Sequence, residues 1–363
     1  MSALSQEEAF ARIRLLRSPN VGPVSYRQLL ARFGSAEAAL AALPDLTRRR
    51  GGPYRPASEA SVTSEAAAVR RVGGRFLFHD SPEYPALLRS LDSAPPILTL
   101  RGDPGLMTRP CIGIVGARNA SAAAVKLARH FAGELADAGY VVVSGLARGI
   151  DGAAHRGALA GGTIGVIASG IDVAYPPEHA ELQEHVATQG LLLAEQPAGA
   201  QPLARHFPAR NRIIAGLALG TLVIEAAPRS GSLITARLAA EFGREVMAVP
   251  GSPLDARAQG CNELIREGAT LVQSTADVIE LLTGFTGAAR TVFASALPDA
   301  GAFADPAASP ADIAGLLTIA PVAVDELVRQ SGAGAGAVQL ALLELELAGQ
   351  LVRHAGGRVS LAG

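Results

Sequence analysis

The stretch Tyr140-Val141-Val142-Val143-Ser144-Gly145-Leu146-Ala147-Arg148-Gly149-Ile150-Asp151 reads as a buried strand, a turn broken by two glycines, and the first turn of a helix. Four consecutive apolar residues without alternation suit a strand covered on both faces. Gly145 and Gly149 let the backbone come close to an anion, and the helix opening near Asp151 points free N–H groups back at the turn. Arg148 adds a fixed charge with forked donors. A strand, a small-residue turn and a helix in this order make a phosphate cradle in an α/β protein. They do not say which phosphate.

Working outward, the same grammar recurs. Short apolar runs lie at 112–115, 140–143, 164–168, 191–194, 222–224, 246–249 and 270–272, with amphipathic segments such as 122–138 and 233–242 between them. Continuous apolar strands separated by helices predict an α/β fold, a Rossmann-like, doubly wound, mostly parallel sheet over residues 75–283. Its ligands belong at the carboxyl ends of the strands.

Two smaller domains flank it. Residues 1–62 are expected to form a helical domain, with short helices over 4–43 and a glycine hairpin at Ser18-Pro19-Asn20-Val21-Gly22 before the amphipathic Tyr26-Arg27-Gln28-Leu29-Leu30. Such a hairpin either offers N–H groups to a phosphate backbone or is an ordinary turn between helices. Pro44, Gly51, Gly52, Pro53 and Pro56 mark 44–62 as a linker. Residues 284–309 are rich in Gly, Ala, Pro and Asp without period and read as a second linker. Over 310–363, three helical segments and a hairpin around Gly356-Gly357 predict a winged-helix-like domain. Its third helix carries Glu344 and Glu346 and no arginine, which favours protein docking over reading a DNA groove.

Composition bounds the function. The 363 residues are 49% hydrophobic and 18% charged, which is the balance of a packed globular chain. Glycine or charge breaks each apolar run well short of the roughly 18 residues that a membrane span needs. Residues 1–17 hold acids and arginines with no apolar signal core, and Cys111 and Cys261 are far apart without metal spacing, so a reduced, cytoplasmic setting is expected. Net charge is −1, so any nucleic-acid contact must come from a local patch. Lys126 is the only lysine, which leaves phosphate contacts to arginine and backbone N–H.

Three further strand-end loops supply candidates. Gly113-Ile114-Val115-Gly116-Ala117-Arg118-Asn119-Ala120-Ser121 matches neither a dinucleotide fingerprint nor a P-loop, and Ser121 is placed to cap the next helix. Arg205-His206-Phe207-Pro208-Ala209-Arg210-Asn211-Arg212 sets three arginines beside an aromatic, a mixture suited to a single strand, with guanidinium on phosphate and ring on base. Ser230-Gly231-Ser232 and Thr235 open another helix with hydroxyls. Between Gln201 and Arg237 five arginines face one acid, Glu225.

For catalysis the candidates are thin. Asp151 and His155 share a helix face but suit capping and packing. Glu225 is the one acid placed for a general base, and is equally a partner for an arginine. No carboxylate pair, metal spacing or nucleophile elbow is present, so no catalytic residue, metal or cofactor is expected. A dinucleotide-dependent dehydrogenase is rejected as well, because Asp137 precedes the second strand instead of ending it.

Taken in order, Gly116-Ala117-Arg118, Ser144 to Asp151, Tyr175-Pro176, Phe207-Pro208-Ala209-Arg210-Asn211-Arg212-Ile213-Ile214, Ser230-Gly231-Ser232-Leu233-Ile234-Thr235-Ala236, Val249-Pro250-Gly251, Gly260-Cys261-Asn262-Glu263-Leu264-Ile265 and Gly268-Ala269 closely resemble the DNA-processing protein A (DprA, or Smf) family. Tyr84-Pro85-Ala86-Leu87-Leu88 and Pro95-Pro96, then Arg101-Gly102-Asp103, look like its entry to the Rossmann-like domain. The flanks fit in outline, as a sterile-alpha-motif-like or helix-hairpin-helix head and a winged-helix tail. The resemblance implies a non-enzymatic, cytoplasmic protein that binds single-stranded DNA taken up in natural transformation, protects it and loads RecA recombinase on it. It also implies a homodimer through the Rossmann-like domain and no membrane partner; the sequence does not fix the dimer face, for which the apolar sides of 217–222 and 234–242 are the candidates. The site it implies comprises Arg118, Ser144, Gly145, Arg148, Gly149, Arg205, Phe207, Arg210, Asn211, Arg212, Ser230, Gly231, Ser232 and Thr235. One departure stands out: many relatives carry a lysine where this chain has Ala204, so either Arg205 substitutes or one contact is weaker. The competing expectation is a nucleotide or phosphoribosyl hydrolase, as in the related lysine-decarboxylase-like group, with Glu225 as acid/base and Arg148 as clamp. Those enzymes carry a Pro-Gly-Gly-x-Gly-Thr loop where this chain has Ala227-Pro228-Arg229-Ser230-Gly231-Ser232.

Overall fold

The computed structural model describes residues 4–47, 54–284, 310–354 and 356–362. Contacts group the chain into two units, 65–288 and a second made of 1–64 with 289–363. The expected linker at 284–309 lies almost wholly outside the described residues. The expected linker at 44–62 is largely helical where it is described.

The chain begins with α1 (Gln6–Leu16), α2 (Pro23–Phe33), α3 (Ala36–Thr47) and α4 (Glu59–Arg71). Pairing then builds one sheet from β1 (Arg75–Phe78), β2 (Ile97–Gly102), β3 (Cys111–Gly116), β4 (Val141–Ser144), β5 (Thr163–Ile167), β6 (Leu191–Ala194), β7 (Gly220–Ile224), β8 (Glu245–Ala248) and β9 (Thr270–Leu271). Its helices are α5 (Ala86–Arg89), α6 (Ala122–Asp137), α7 (Ile150–Ala158), α8 (Ala180–Gln189), α9 (His206–Leu217), α10 (Gly231–Glu241), α11 (Gln259–Arg266) and α12 (Thr275–Gly284). The strand order is β1-β2-β6-β5-β4-β3-β7-β8-β9, parallel from β6 to β9 and closed at one edge by antiparallel β2 and β1. The expected doubly wound sheet is therefore present, with two strands that the sequence pattern did not announce.

Strand alternation divides the core. Ile112, Ile114, Val142, Leu222 and Ile224 meet Phe131 of α6 and Ile150 of α7 on one face. Val115, Val143, Ile164 and Val223 meet Ile213 of α9 and Leu233 of α10 on the other. Each of these apolar side chains contributes roughly 1.5–3 kcal/mol by leaving water. The stretch 217–222 is interior: Leu217 is 3% exposed, and Ala218 and Leu222 are fully covered. It is not free to serve as a dimer face, because β7 is a central strand. Ile234 on α10 is 38% exposed.

In the second unit, α13 (Pro310–Leu316), β10 (Val322–Ala323), α14 (Val324–Ser331), α15 (Ala335–Leu347), β11 (Leu351–His354) and β12 (Arg358–Leu361) form a winged helix with sheet order β10-β12-β11. Helix α15 is apolar on two sides, and such a helix needs two partners. Val338, Ala341, Leu342 and Leu345 fill the winged-helix core. Leu343 and Leu347 instead join Leu15, Tyr26, Leu29 and Leu43 of the N-terminal helices. Asn20 donates to the Leu347 carbonyl at 2.9 Å, and Gln28 donates to Gln339 at 3.0 Å. The acidic third helix thus docks on the head of its own chain.

The hairpin between α1 and α2 spends its N–H groups internally. Gly22 N–H donates to Ser25 Oγ at 2.8 Å and Val21 N–H to the Ser18 carbonyl at 3.2 Å. Of the two readings open at the sequence level, the ordinary turn between helices fits this geometry.

Candidate nucleic-acid interface

A cavity of about 410 Å³ opens at the carboxyl ends of β3, β4 and β5, where a doubly wound sheet holds ligands. Arg118 and Asn119 follow β3, Gly145, Ala147 and Arg148 follow β4, and Ile167 and Ala168 end β5. Tyr175, Pro176, Pro177 and Pro202 come from the loops beyond, and Phe207 and Arg210 from the first turns of α9.

The opening turn is built around a buried cation. Arg210 is 6% exposed, and its Nη1 donates to the Val166 carbonyl at 2.7 Å. A Cβ at residue 145 would overlap this guanidinium, so Gly145 makes room for Arg210 rather than for a ligand. Asp151 does not cap α7. Its carboxylate turns back to accept from Gly145 N–H at 3.1 Å and from the Ala147 backbone. Burial pushes that carboxyl up, while the Arg210 charge and the two N–H groups oppose the rise. Burial pushes Arg210 down to about 10, with Asp151 acting against it and Arg118 with it, so the guanidinium stays charged at neutral pH. Its Nε is buried with no hydrogen-bond partner.

The rest of the turn is scaffolding. The Ser144 hydroxyl donates to the Ile114 carbonyl at 2.6 Å and is fully buried. Gly149 has φ +71°, and a Cβ there would overlap the Ala117 carbonyl oxygen. Leu146 holds a positive φ of 55°, a conformation that costs a non-glycine residue roughly 1 kcal/mol or more. Its carbonyl accepts from His179 Nδ1 at 2.9 Å, which ties the turn to the short 3-10 helix Pro177–His179. Arg148 projects from this frame, 64% exposed, and its Nε pairs with Glu178. His155, expected to pack, is buried with Nδ1 2.8 Å from Thr163 Oγ1.

Aromatic and cationic groups meet at the mouth. The Arg118 guanidinium lies 5.2 Å from the Phe207 ring centre, and the Tyr175 ring lies 5.7 Å from it at 56°. Tyr175, 42% exposed, belongs to the cavity lining although it was not an expected site residue. An aromatic before a proline in a strand-end loop was the signal.

Other expected site residues lie outside the cavity lining. Arg212 is paired with Glu195 at 2.5 Å, both largely covered. Asn211 donates to the Gly231 carbonyl at 3.3 Å, tying α9 to α10. Ser230 caps α10, with its hydroxyl 2.8 Å from that of Ser232, and Thr235 is buried. Gly231 is exposed at the same helix start. Arg205, at the N-cap of α9, is exposed beside Ala204. Glu225 neither pairs with an arginine nor lines the cavity. It accepts from Ser121 N–H at 2.8 Å and from Ser121 Oγ at 2.6 Å, while Ser121 caps α6 as expected. A carboxylate therefore occupies the helix N-terminus where other doubly wound sheets hold a phosphate.

Among the described residues no cluster of three or more His, Cys, Asp and Glu is placed to hold a metal ion, and no helix is long and apolar enough to cross a membrane. Cys111 and Cys261 are buried free thiols, each pushed up by burial, to about 12 and about 11.

Residues 75–283, the whole sheet and its cavity, match the family model for DNA recombination-mediator protein A. The chain belongs to that family. Residues 6–68 match the DprA-like N-terminal HHH domain, and residues 298–357 the DprA winged helix domain. The chain is 44% identical over 219 residues to DNA processing protein DprA of Bacillus subtilis, covering 60% of this chain and 74% of that one. It resembles the X-ray structure of DNA processing protein A from Streptococcus pneumoniae, with a TM-score of 0.65, 35% identity, and coverage of 77% and 98% of the two chains. It also resembles DNA processing protein A from Helicobacter pylori, solved for its single-stranded DNA binding mode, with a TM-score of 0.54, 30% identity and coverage of 58% and 96%.

Proposed function

We propose that this chain binds single-stranded DNA through the β3–β4–β5 cavity and acts as a recombination mediator, protecting DNA taken up in natural transformation and loading RecA recombinase on it. The observation that carries the binding is the meeting of three guanidinium groups, those of Arg118, Arg148 and Arg210, on one cavity at the strand ends. Clustered guanidinium groups suit a phosphate. Arg118 and Arg148 extend that charge to the mouth, where Phe207 and Tyr175 offer faces to bases. The Helicobacter pylori relative, solved for its single-stranded DNA binding mode, supports the same ligand.

Within this reading Arg118, Arg148 and Arg210 take phosphates. Gly145, Gly149 and Ser144 shape the turn, and Phe207 with Tyr175 stacks. Arg205 is open to take the contact that the absent lysine makes in relatives. Asn211 and Arg212 hold α9, and Ser230, Gly231, Ser232 and Thr235 hold the start of α10 beside it. RecA loading, work as a homodimer through the Rossmann-like unit, a cytoplasmic location and the lack of an enzymatic activity rest on family resemblance. The test compares single-stranded DNA, duplex DNA and nucleoside monophosphates on one preparation. Preference for the single strand, with no base released from the monophosphates, is the expected result. Turnover that Glu225→Ala abolishes would establish a hydrolase instead.

A further inference from the structure

Resting on that reading of the cavity, we infer that Glu178 is an internal competitor for the phosphate site: it occupies Arg148 until a strand displaces it. Arg148 is an exposed cation at the mouth, with 64% of its side chain open, yet its Nε is engaged by the Glu178 carboxylate. The competitor is held in place. Glu178 sits in the 3-10 helix Pro177–His179, whose next residue, His179, donates Nδ1–H to the Leu146 carbonyl inside the turn that carries Arg148. Turn and competitor are thereby fixed to each other, and only the two side-chain ends are free to part. Glu178 is 45% exposed in its side chain, so it can swing to water when an anion arrives. Its own backbone N–H and Arg148 hold its carboxyl below the ordinary carboxylate range, which keeps it charged at neutral pH.

A carboxylate and a phosphate oxygen offer a guanidinium the same forked acceptor, so they exclude one another at Nε. The exchange sets the affinity of the cavity below what its arginines alone would give. It also blunts the salt dependence, because the strand replaces an anion of the protein and not only mobile ions. A merely supporting carboxylate, one that positions Arg148 for the strand, would act with the opposite sign.

The experiment titrates the full chain with a fluorescent oligothymidylate across a salt series, using wild type, Glu178→Gln, Arg148→Ala, the double variant, and Glu181→Gln as a nearby exposed control. Glu178→Gln is expected to tighten binding about two- to fivefold, the range spanned by an exposed ion pair, and to steepen the salt slope by up to about one. Glu181→Gln should stay within about 1.5-fold on the same scale. In the Arg148→Ala background, Glu178→Gln should add nothing. Weaker or unchanged binding by Glu178→Gln overturns the exchange while leaving the cavity reading intact, provided that Arg148→Ala binds poorly. Tightening that persists without Arg148 overturns it too, since the effect is then a general field. Wild-type binding by Arg148→Ala would remove the reading on which the exchange rests.

Discussion

Gly145 and the Arg210 guanidinium share one volume: a Cβ on residue 145 would overlap the Nη1 that donates to the Val166 carbonyl. The glycine of the turn thus serves the protein's own cation. Gly145→Ala must push Arg210 off that carbonyl and lose a hydrogen bond from a charged group, at a cost of about 1.5–3 kcal/mol. Chemical denaturation should show this loss. Arg210→Ala empties the space, so Gly145→Ala should cost far less in that background, and additive losses would refute the shared volume.

His155 makes stability depend on pH. Burial and the nearby Arg210 charge push its imidazole down to about 3. Thr163 Oγ1 donates to the Val142 carbonyl, so it accepts from His155 Nδ1–H, and Nε2 is buried without a partner. The folded state therefore needs the neutral ring, whereas the unfolded chain takes a proton near pH 6.5. Stability from this group is complete above that value and falls as pH drops toward about 3, by up to about 1.4 kcal/mol per unit. His155→Asn keeps a donor toward Thr163 without titrating in this range. Its denaturation midpoint should vary less between pH 6.5 and 4 than that of wild type, and an equal slope would count against the buried neutral ring.

Phe207 carries stacking without charge. Phe207→Ala should weaken binding to an oligothymidylate by about 1–3 kcal/mol while leaving the salt slope unchanged. It also removes the ring beneath Arg118 and beside Tyr175, so the loss should fall in the upper part of that range. Unchanged affinity and slope would assign Phe207 to the fold and not to the strand.

The head and the winged helix should unfold together. Leu343 and Leu347 of α15 lie in one core with Leu15 and Tyr26. Leu343→Ala should cost about 2–5 kcal/mol and lower the melting of both parts in hydrogen exchange. Protection lost in α13–α15 alone would show two independent domains.

Much of the fold was legible because parallel strands are buried on both faces and write unbroken apolar runs, as at Ile112 and Val142. β1 was not legible because only Leu77 of its four residues is buried. α4 was hidden by Ser and Thr among its residues and by the prolines and glycines before it, although Val62 and Val69 are buried seven positions apart. In the site, Arg118 and Arg148 announced themselves by standing at strand ends, and Phe207 by standing among three arginines. The partners of Arg212, Ser230 and Glu225 did not, because Glu195, Ser232 and Ser121 are set by loop geometry and strand register. The packing of Leu343 and Leu347 of α15 on the first helices of the same chain was not legible either, because the acids of that helix gave no sign of it.

The most direct measurement is a salt series of oligothymidylate binding by wild type and Arg148→Ala. The expected result is a weaker variant whose slope of log K against log salt is shallower, by the full one-phosphate step of about 0.7–0.9 when both proteins carry Glu178→Gln and by less in the wild-type background, where Glu178 already pairs with Arg148. An Arg148→Ala protein with unchanged affinity and slope would contradict the assignment of the Ser144–Gly149 turn to the strand.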